Sequence, residues 1–153
     1  MHTDPTSDGS STAGGKAGTE PGGSGPRESR TRIVLGAVLA LQVFVIVLQG
    51  LTAGQVLGGA TDALSLHGMG ALPVHVLGLV QLVTAVLLWR PGRGPAWPAL
   101  ASLVLLVGGF AQSMTGGEGI TVVHVPLALG LIALTVGMLV WVITPRPESP
   151  REG

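Results

Sequence analysis

Four long apolar runs alternate with short polar or glycine-rich segments along the chain. They cover residues 33–51, 71–89, 97–114 and 120–143, and none of them contains Asp, Glu, Lys or Arg. A helix of about 20 residues crosses the roughly 30 Å hydrocarbon layer of a membrane. Each run therefore predicts one transmembrane helix. Because the connections are short, neighbouring helices are expected to be antiparallel, which gives an all-α, integral membrane, up-down-up-down four-helix bundle.

The two ends of the chain differ from these runs. Residues 1–30 are rich in Gly, Ser, Thr and Pro, and such a composition predicts a disordered N-terminal tail. Residues 31–144 then form the transmembrane domain, and residues 145–153 form a C-terminal tail. A cleaved signal peptide is the competing interpretation of the first run, but that run is longer than the usual apolar region of such peptides. Residues 90–96 contain turn formers and predict a tight basic hairpin.

Composition supports a membrane class and excludes several kinds of chemistry. Only 10% of the residues are charged, and the eight basic residues balance the eight acidic ones, so no nucleic-acid partner is expected. The absence of cysteine excludes disulfides, thiolate zinc sites, iron–sulfur clusters and cysteine nucleophiles. Any metal site must therefore use nitrogen or oxygen ligands.

The positions of the basic residues predict the orientation in the membrane. Every Lys and Arg lies before the first run, between the second and third runs, or after the fourth. The positive-inside rule therefore predicts a protein of the cell membrane whose two termini and middle loop lie in the cytoplasm. The three Trp residues agree with this orientation, because Trp89, Trp97 and Trp141 all lie at the predicted cytoplasmic ends of spans.

Two histidines are the most informative polar residues within the spans. His75 lies about four residues into the second run and His124 about four into the fourth, so both are expected about 6 Å below the outer boundary. These two helices run in the same direction, which lets the imidazoles face each other across the bundle. Gln49 and Gln112 reach a similar level from the other two helices. Gln42 and Gln81 lie nearer the middle of the membrane.

This arrangement has two interpretations. Imidazoles at matched depth in a four-helix bundle can ligate a haem iron from opposite faces. Alternatively, each histidine hydrogen-bonds a nearby Gln, Ser or main-chain carbonyl. His67, in the predicted outer loop, is either a solvated loop residue, a second contact to a haem, or a ligand with His75 and His124 for zinc or copper. No catalytic residue is predicted.

The segments 67–71, 75–78 and 124–129, together with Gln112, resemble one four-helix half of the haem A synthase family. The resemblance covers residues 33–143. It implies that His75 and His124 are axial haem ligands and that Gln49 and Gln112 line the pocket. The family uses two halves, and its catalytic half carries a glutamate shortly before the first histidine, where this chain has Leu72. The resemblance therefore implies a b-type haem for electron transfer or haem handling.

Three functional hypotheses follow from the sequence. The first is a small multi-pass protein that binds b-type haem. The alternative is a non-enzymatic structural or accessory membrane subunit without a cofactor. The third is a haem-modifying enzyme, which would require a dimer and a base that the sequence does not identify. The expected partners are membrane lipid and a second copy of the chain or a larger membrane complex.

Overall fold

The computed structural model describes residues 26–145, and this part of the chain is an all-α bundle. Five helices follow one another: α1 Pro26–Leu57, α2 Asp62–Met69, α3 Ala71–Trp89, α4 Trp97–Gly117 and α5 Thr121–Ile143. The predicted tail at 1–25 and residues 146–153 of the predicted C-terminal tail lie outside the described residues. Residues 26–30, which the sequence analysis places in the tail, form the start of α1.

Four stretches of helix are long and apolar enough to cross a membrane. They are Arg27–Leu57, Asp62–Trp89, Trp97–Gly117 and Thr121–Ile143. The second stretch combines α2 and α3, which are separated only by Gly70. The chain is a multi-pass membrane protein with four candidate spans, as predicted.

The structure differs from the predicted spans at one end of the bundle. Residues 52–70 were expected to form an outer loop, whereas α1 continues to Leu57 and residues 62–69 form α2. Polar residues such as Thr52 and Gln55 interrupt the apolar run there without interrupting the helix. Hydropathy detects the apolar run, while a helix extends as long as its main-chain hydrogen bonds continue. We call the four candidate spans the limbs of the bundle: α1, α2 with α3, α4 and α5. The first two limbs are therefore longer than predicted.

The helices form a closed ring. α1 is a neighbour of α3 and α5, and α4 is also a neighbour of α3 and α5. Consequently α1 lies diagonally opposite α4, and α3 lies diagonally opposite α5. Helices α4 and α5 are antiparallel, since Gly108 contacts Leu131 and Gly116 contacts His124. Helices α3 and α4 are also antiparallel, since His75 lies near Gly109 and Gln81 bonds Ser102. The up-down-up-down arrangement is confirmed.

We name the two ends of the bundle for their residues. The basic end comprises the start of α1, the connection at residues 90–96 and the end of α5. The histidine end comprises the connection between α1 and α3, including α2, and the connection between α4 and α5. Apart from Ala63, all buried residues among those described lie within 35–42, 78–88, 98–105 and 135–142. The tightly packed core is therefore confined to the half nearer the basic end.

One arginine joins the first and last helices at the basic end. The Arg32 side chain donates hydrogen bonds to the carbonyl oxygens of Trp141, Val142 and Thr144 at 2.7, 2.9 and 3.0 Å. Its guanidinium also lies 4.7 Å from the centre of the Trp141 ring. The last carbonyls of a helix have no partners within the helix, so Arg32 satisfies the end of α5.

Candidate functional site

The histidine end contains a polar cluster built from all four limbs of the bundle. We define the histidine cluster as Gln49 and Thr52 of α1, His67 of α2, Gln112 of α4 and His124 of α5. The rings of His67 and His124 have centroids 6.2 Å apart, with their planes at 67°. The α2 and α5 backbones make no close contact with each other. The two imidazoles therefore reach toward each other from helices that are otherwise separated.

His67 is held by α1. Its Nδ1 lies 3.1 Å from the carbonyl oxygen of Gln49 and 3.1 Å from the Thr52 hydroxyl. A carbonyl oxygen can only accept a hydrogen bond, so the contact with Gln49 requires the proton on Nδ1. The Gln49 amide nitrogen in turn donates to the His67 carbonyl oxygen at 3.0 Å. This reciprocal pair fixes the ring and leaves the lone pair on Nε2.

His124 is held in the same manner by α4. Its Nδ1 donates to the carbonyl oxygen of Gln112 at 2.9 Å, which again leaves the lone pair on Nε2. The ring lies close to Gly116, where a Cβ would be only 2.7 Å from the His124 Cε1 atom. A glycine at this position is what allows the imidazole to approach α4. The Gln112 Oε1 atom is buried and has no hydrogen-bond partner among the described residues.

His75 lies apart from this cluster. Its Nδ1 donates to the carbonyl oxygen of Ala71 at 2.6 Å, and its ring lies 4.2 Å from that of Phe110. The Nε2 atom is buried without a partner in the described part of the chain, near Gly109. Thus His75 also has its lone pair on Nε2, but it belongs to a different layer of the bundle.

The two histidines predicted to pair lie at different depths. His75 lies against Gly109 and His124 against Gly116, and these glycines are about 10 Å apart along α4. The prediction of one common depth is therefore wrong. The sequence analysis counts the depth of each histidine from the first residue of its apolar run. This count leaves out α2, which lengthens the second limb at the histidine end. As a result His67, and not His75, lies level with His124.

The predicted site residues are thus only partly brought together. Gln49 contacts His67, Gln112 contacts His124, and the two histidines contact each other, so four of the five predicted residues form one cluster. Within residues 26–145, no three His, Asp or Glu side chains are grouped as metal ligands. The predicted zinc or copper set of His67, His75 and His124 is therefore not formed. Thr52 and Gly116 were not among the predicted site residues. Thr52 belongs to the site because α1 continues past residue 51.

The fold and this cluster define the class of protein: a multi-pass membrane protein with four candidate spans and two neighbouring histidines, His67 and His124, at one end of the bundle. Comparison with protein family models, with characterised proteins and with solved structures gives no match.

Proposed function

We propose that this membrane protein binds a b-type haem at the histidine end, with His67 and His124 as the axial ligands of the iron. The observation that supports the proposal is the 6.2 Å separation of the two ring centroids. An imidazole nitrogen lies about 2.0–2.1 Å from a bound metal, so two rings on opposite sides of one metal have centroids roughly 6.3 Å apart. The spacing in this structure is close to that value.

The tautomers of both histidines also support ligation. Each ring donates its Nδ1 proton to a main-chain carbonyl and keeps the Nε2 lone pair for a metal. Hydrogen bonds of this kind orient metal-ligating histidines and increase their basicity. The accepting carbonyl groups belong to α1 and α4, neither of which carries a proposed ligand. The bundle therefore holds both rings in place before any ligand binds.

A haem bound here would supply one-electron chemistry. His67 and His124 would hold the group, and the neighbouring residues would orient the two rings and set the polarity around it. Gln49 and Thr52 position His67, and the Gln112 main chain positions His124. The cluster contains no carboxylate, lysine or cysteine side chain; we assign no catalytic residue and propose electron transfer or haem handling.

The competing ligand pair is the one predicted from the sequence, His75 with His124. A set of three single variants separates the two pairs. We expect His67→Ala and His124→Ala to abolish the low-spin haem absorbance of the protein purified from haem-replete cells, and His75→Ala to retain it. His75→Ala is the matched control, since it removes an imidazole from the same bundle.

Each other outcome has a distinct meaning. Loss with His75→Ala and retention with His67→Ala would keep the function but replace the ligand pair. A folded, colourless wild-type protein would overturn the haem proposal and favour the accessory subunit without a cofactor. Zinc binding by a colourless protein would mean that the histidine pair holds a metal ion alone.

We further propose that the basic end faces the cytoplasm in the cell membrane. All basic residues of the sequence lie at this end or in the two tails adjoining it, which the positive-inside rule associates with the cytoplasm. The chain has no cysteine, so single cysteines can be introduced cleanly. In intact cells, a membrane-impermeant maleimide should label Ser65→Cys at the histidine end and leave Ala96→Cys unlabelled. The reverse labelling pattern would invert the orientation.

A further inference from the structure

A groove at the basic end of the bundle lies between the start of α1 and the end of α3. Arg27, Arg30 and Thr31 of α1 line one side of it, and we call it the arginine groove. Leu87 of α3 and residues 91–92 of the following connection line the other side, and the groove has a volume of about 300 Å³. Both arginine side chains are exposed. The groove therefore has one cationic side and one largely apolar side.

The apolar side of the groove is held in place by the main chain. The connection after α3 folds back on the last turns of that helix, where the Gly92 N–H donates to the Leu87 carbonyl oxygen at 3.1 Å. The Gly94 N–H donates to the Leu88 carbonyl oxygen at 2.8 Å. A Cβ at Gly92 would collide with that same Leu88 oxygen, so a glycine allows the close approach. The shape of the groove is therefore fixed by hydrogen bonds on the side that faces the arginines.

The charges around the arginine groove are of one sign. In the part of the chain that the structure describes, no acidic side chain lines it. Glu28 is the only acidic residue of the basic end within that part, and it lines a different groove, between α1 and α5. Arg90 and Arg93 add positive charge in the neighbouring connection, although neither lines the arginine groove. This distribution of charge favours an anionic ligand.

The position of the groove along the helices corresponds to the boundary of the membrane. Arg27 and Arg30 precede the apolar run that begins at residue 33. On the other helix, Trp89 is the last residue of α3, and its ring is 40% exposed. Trp side chains of membrane proteins are enriched at the level of the lipid headgroups. The two arginines are therefore placed at headgroup level.

Apolar side chains continue from the groove toward the middle of the spans. Val34 lies three residues after Thr31 and Val83 lies four residues before Leu87, so each continues the face of its helix that lines the groove. Both valines and Leu87 are about half-exposed. Cations at the membrane boundary are thus followed by exposed apolar side chains, which is the order of an anionic headgroup and its acyl chains.

We infer that the arginine groove binds an anionic phospholipid, with its phosphate at Arg27 and Arg30 and an acyl chain against Leu87. A guanidinium presents its N–H donors in a planar fork that matches the oxygens of a phosphate group. Free inorganic phosphate would use the arginines and leave the apolar side of the groove uncovered, whereas a phospholipid uses both sides. The inference does not depend on haem binding, because the histidine cluster lies at the other end of the bundle.

Native mass spectrometry of the full chain in detergent tests the site. The wild-type protein is titrated with phosphatidylglycerol or with phosphatidylcholine that carries the same acyl chains. We expect one molecule of phosphatidylglycerol to bind about tenfold more tightly, because each arginine near an anionic headgroup adds to the attraction. Equal affinities for the two lipids would overturn the proposal, and this comparison requires no variant to fold.

Two double variants of equal charge separate the groove from general attraction to the basic end. Arg27→Gln with Arg30→Gln should abolish the preference for phosphatidylglycerol. Arg90→Gln with Arg93→Gln removes the same charge outside the groove and should retain the preference. Equal losses would overturn the groove as the binding site. In detergent without anionic lipid both should have the Tm of the wild type, since all four side chains are exposed. A lower Tm confined to the first variant would assign these arginines to folding instead.

A second set of measurements distinguishes the whole lipid from its phosphate group. Inorganic phosphate should not displace phosphatidylglycerol, and displacement would overturn a lipid as the occupant. Leu87→Ala should weaken phosphatidylglycerol binding several-fold. Leu72→Ala, at the other end of α3, is the matched control and should leave binding unchanged, because Leu72 is exposed and does not line the groove. Unchanged binding in Leu87→Ala would contradict the proposed position of the acyl chain.

Discussion

The half of the bundle near the basic end and the half near the histidine end are built on different principles. In the first, Leu35, Leu39, Leu88 and Met138 are fully buried and pack against one another across the ring of helices. In the second, His67, His75 and His124 are only half-buried, and each is held by a hydrogen bond to a polar group. Packing therefore holds the helices together at one end. At the other end, each imidazole is positioned by a hydrogen bond from its Nδ1 atom to a main-chain carbonyl.

The largest difference between the halves should be found by removing one leucine from each. Leu39→Ala leaves a cavity in a fully buried site and should lower the free energy of unfolding by about 2–5 kcal/mol. Leu51→Ala, at the histidine end, changes a side chain that is 60% exposed and should have little effect. Reversible unfolding in mixed micelles measures both. Equal losses would show that packing is not concentrated at the basic end.

The next largest loss of stability is expected from substitution of Arg32. Arg32→Ala removes three hydrogen bonds from a charged donor to the end of α5, and we expect a loss of about 2–3 kcal/mol. Arg30→Ala is the control, because Arg30 is exposed on the same helix. Arg32→Lys should recover only part of the loss, since an ammonium group lacks the planar fork that contacts several carbonyls. If Arg32→Lys had the full stability of the wild type, the positive charge alone, and not the shape of the guanidinium, would explain the contribution of Arg32.

A smaller effect is expected from the buried hydroxyl on α4. Ser102→Ala removes the oxygen that accepts the Gln81 amide proton and leaves that nitrogen a 3.8 Å contact with the Met138 sulfur. The expected loss is about 1 kcal/mol. Thr115→Ala lies near the histidine end of the same helix and removes a hydroxyl that bonds only its own helix at 3.0 Å. It should be almost neutral in the same unfolding experiment.

Substitution of Gly116 should have the smallest effect on stability and a clear effect on haem binding. In Gly116→Ala the added Cβ would lie 2.7 Å from His124 Cε1, so the ring must move away from α4. We expect haem retention to fall several-fold while Tm changes little. Gly117→Ala is the control, because a Cβ there meets no atom within 4 Å. Unchanged haem retention in Gly116→Ala would argue that His124 is not held for ligation.

Much of the fold was predictable because membrane spans have a simple physical signature. The predicted second span, residues 71–89, has the bounds of α3, and the third and fourth runs differ from α4 and α5 by at most three residues. The residues of α2 were not predicted as helix. Asp62, Ser65, His67 and Gly68 make this segment too polar for a hydropathy signal, and its helix is stabilised by contact with α1 and α3.

The site was predictable in its residues and not in its pairing. His67, His124, Gln49 and Gln112 could be identified because polar side chains are rare in an apolar chain. Their partners depend on the relative heights of the helices, which the extra turns of α1 and α2 determine. Those turns contain no apolar run. The sequence pattern therefore predicted that His75 lies level with His124, whereas in the structure His67 does. Which two histidine rings lie side by side depends on the relative heights of the helices that carry them.

The contact between Arg32 and the end of α5 joins residues that are about 110 positions apart in the chain. During synthesis, α1 enters the membrane long before α5 exists. The guanidinium of Arg32 must therefore remain with water or lipid phosphate until the last helix has been inserted. Closure of the ring between α1 and α5 therefore requires the end of α5, and a nascent chain that stops before residue 141 lacks the carbonyl groups that Arg32 contacts.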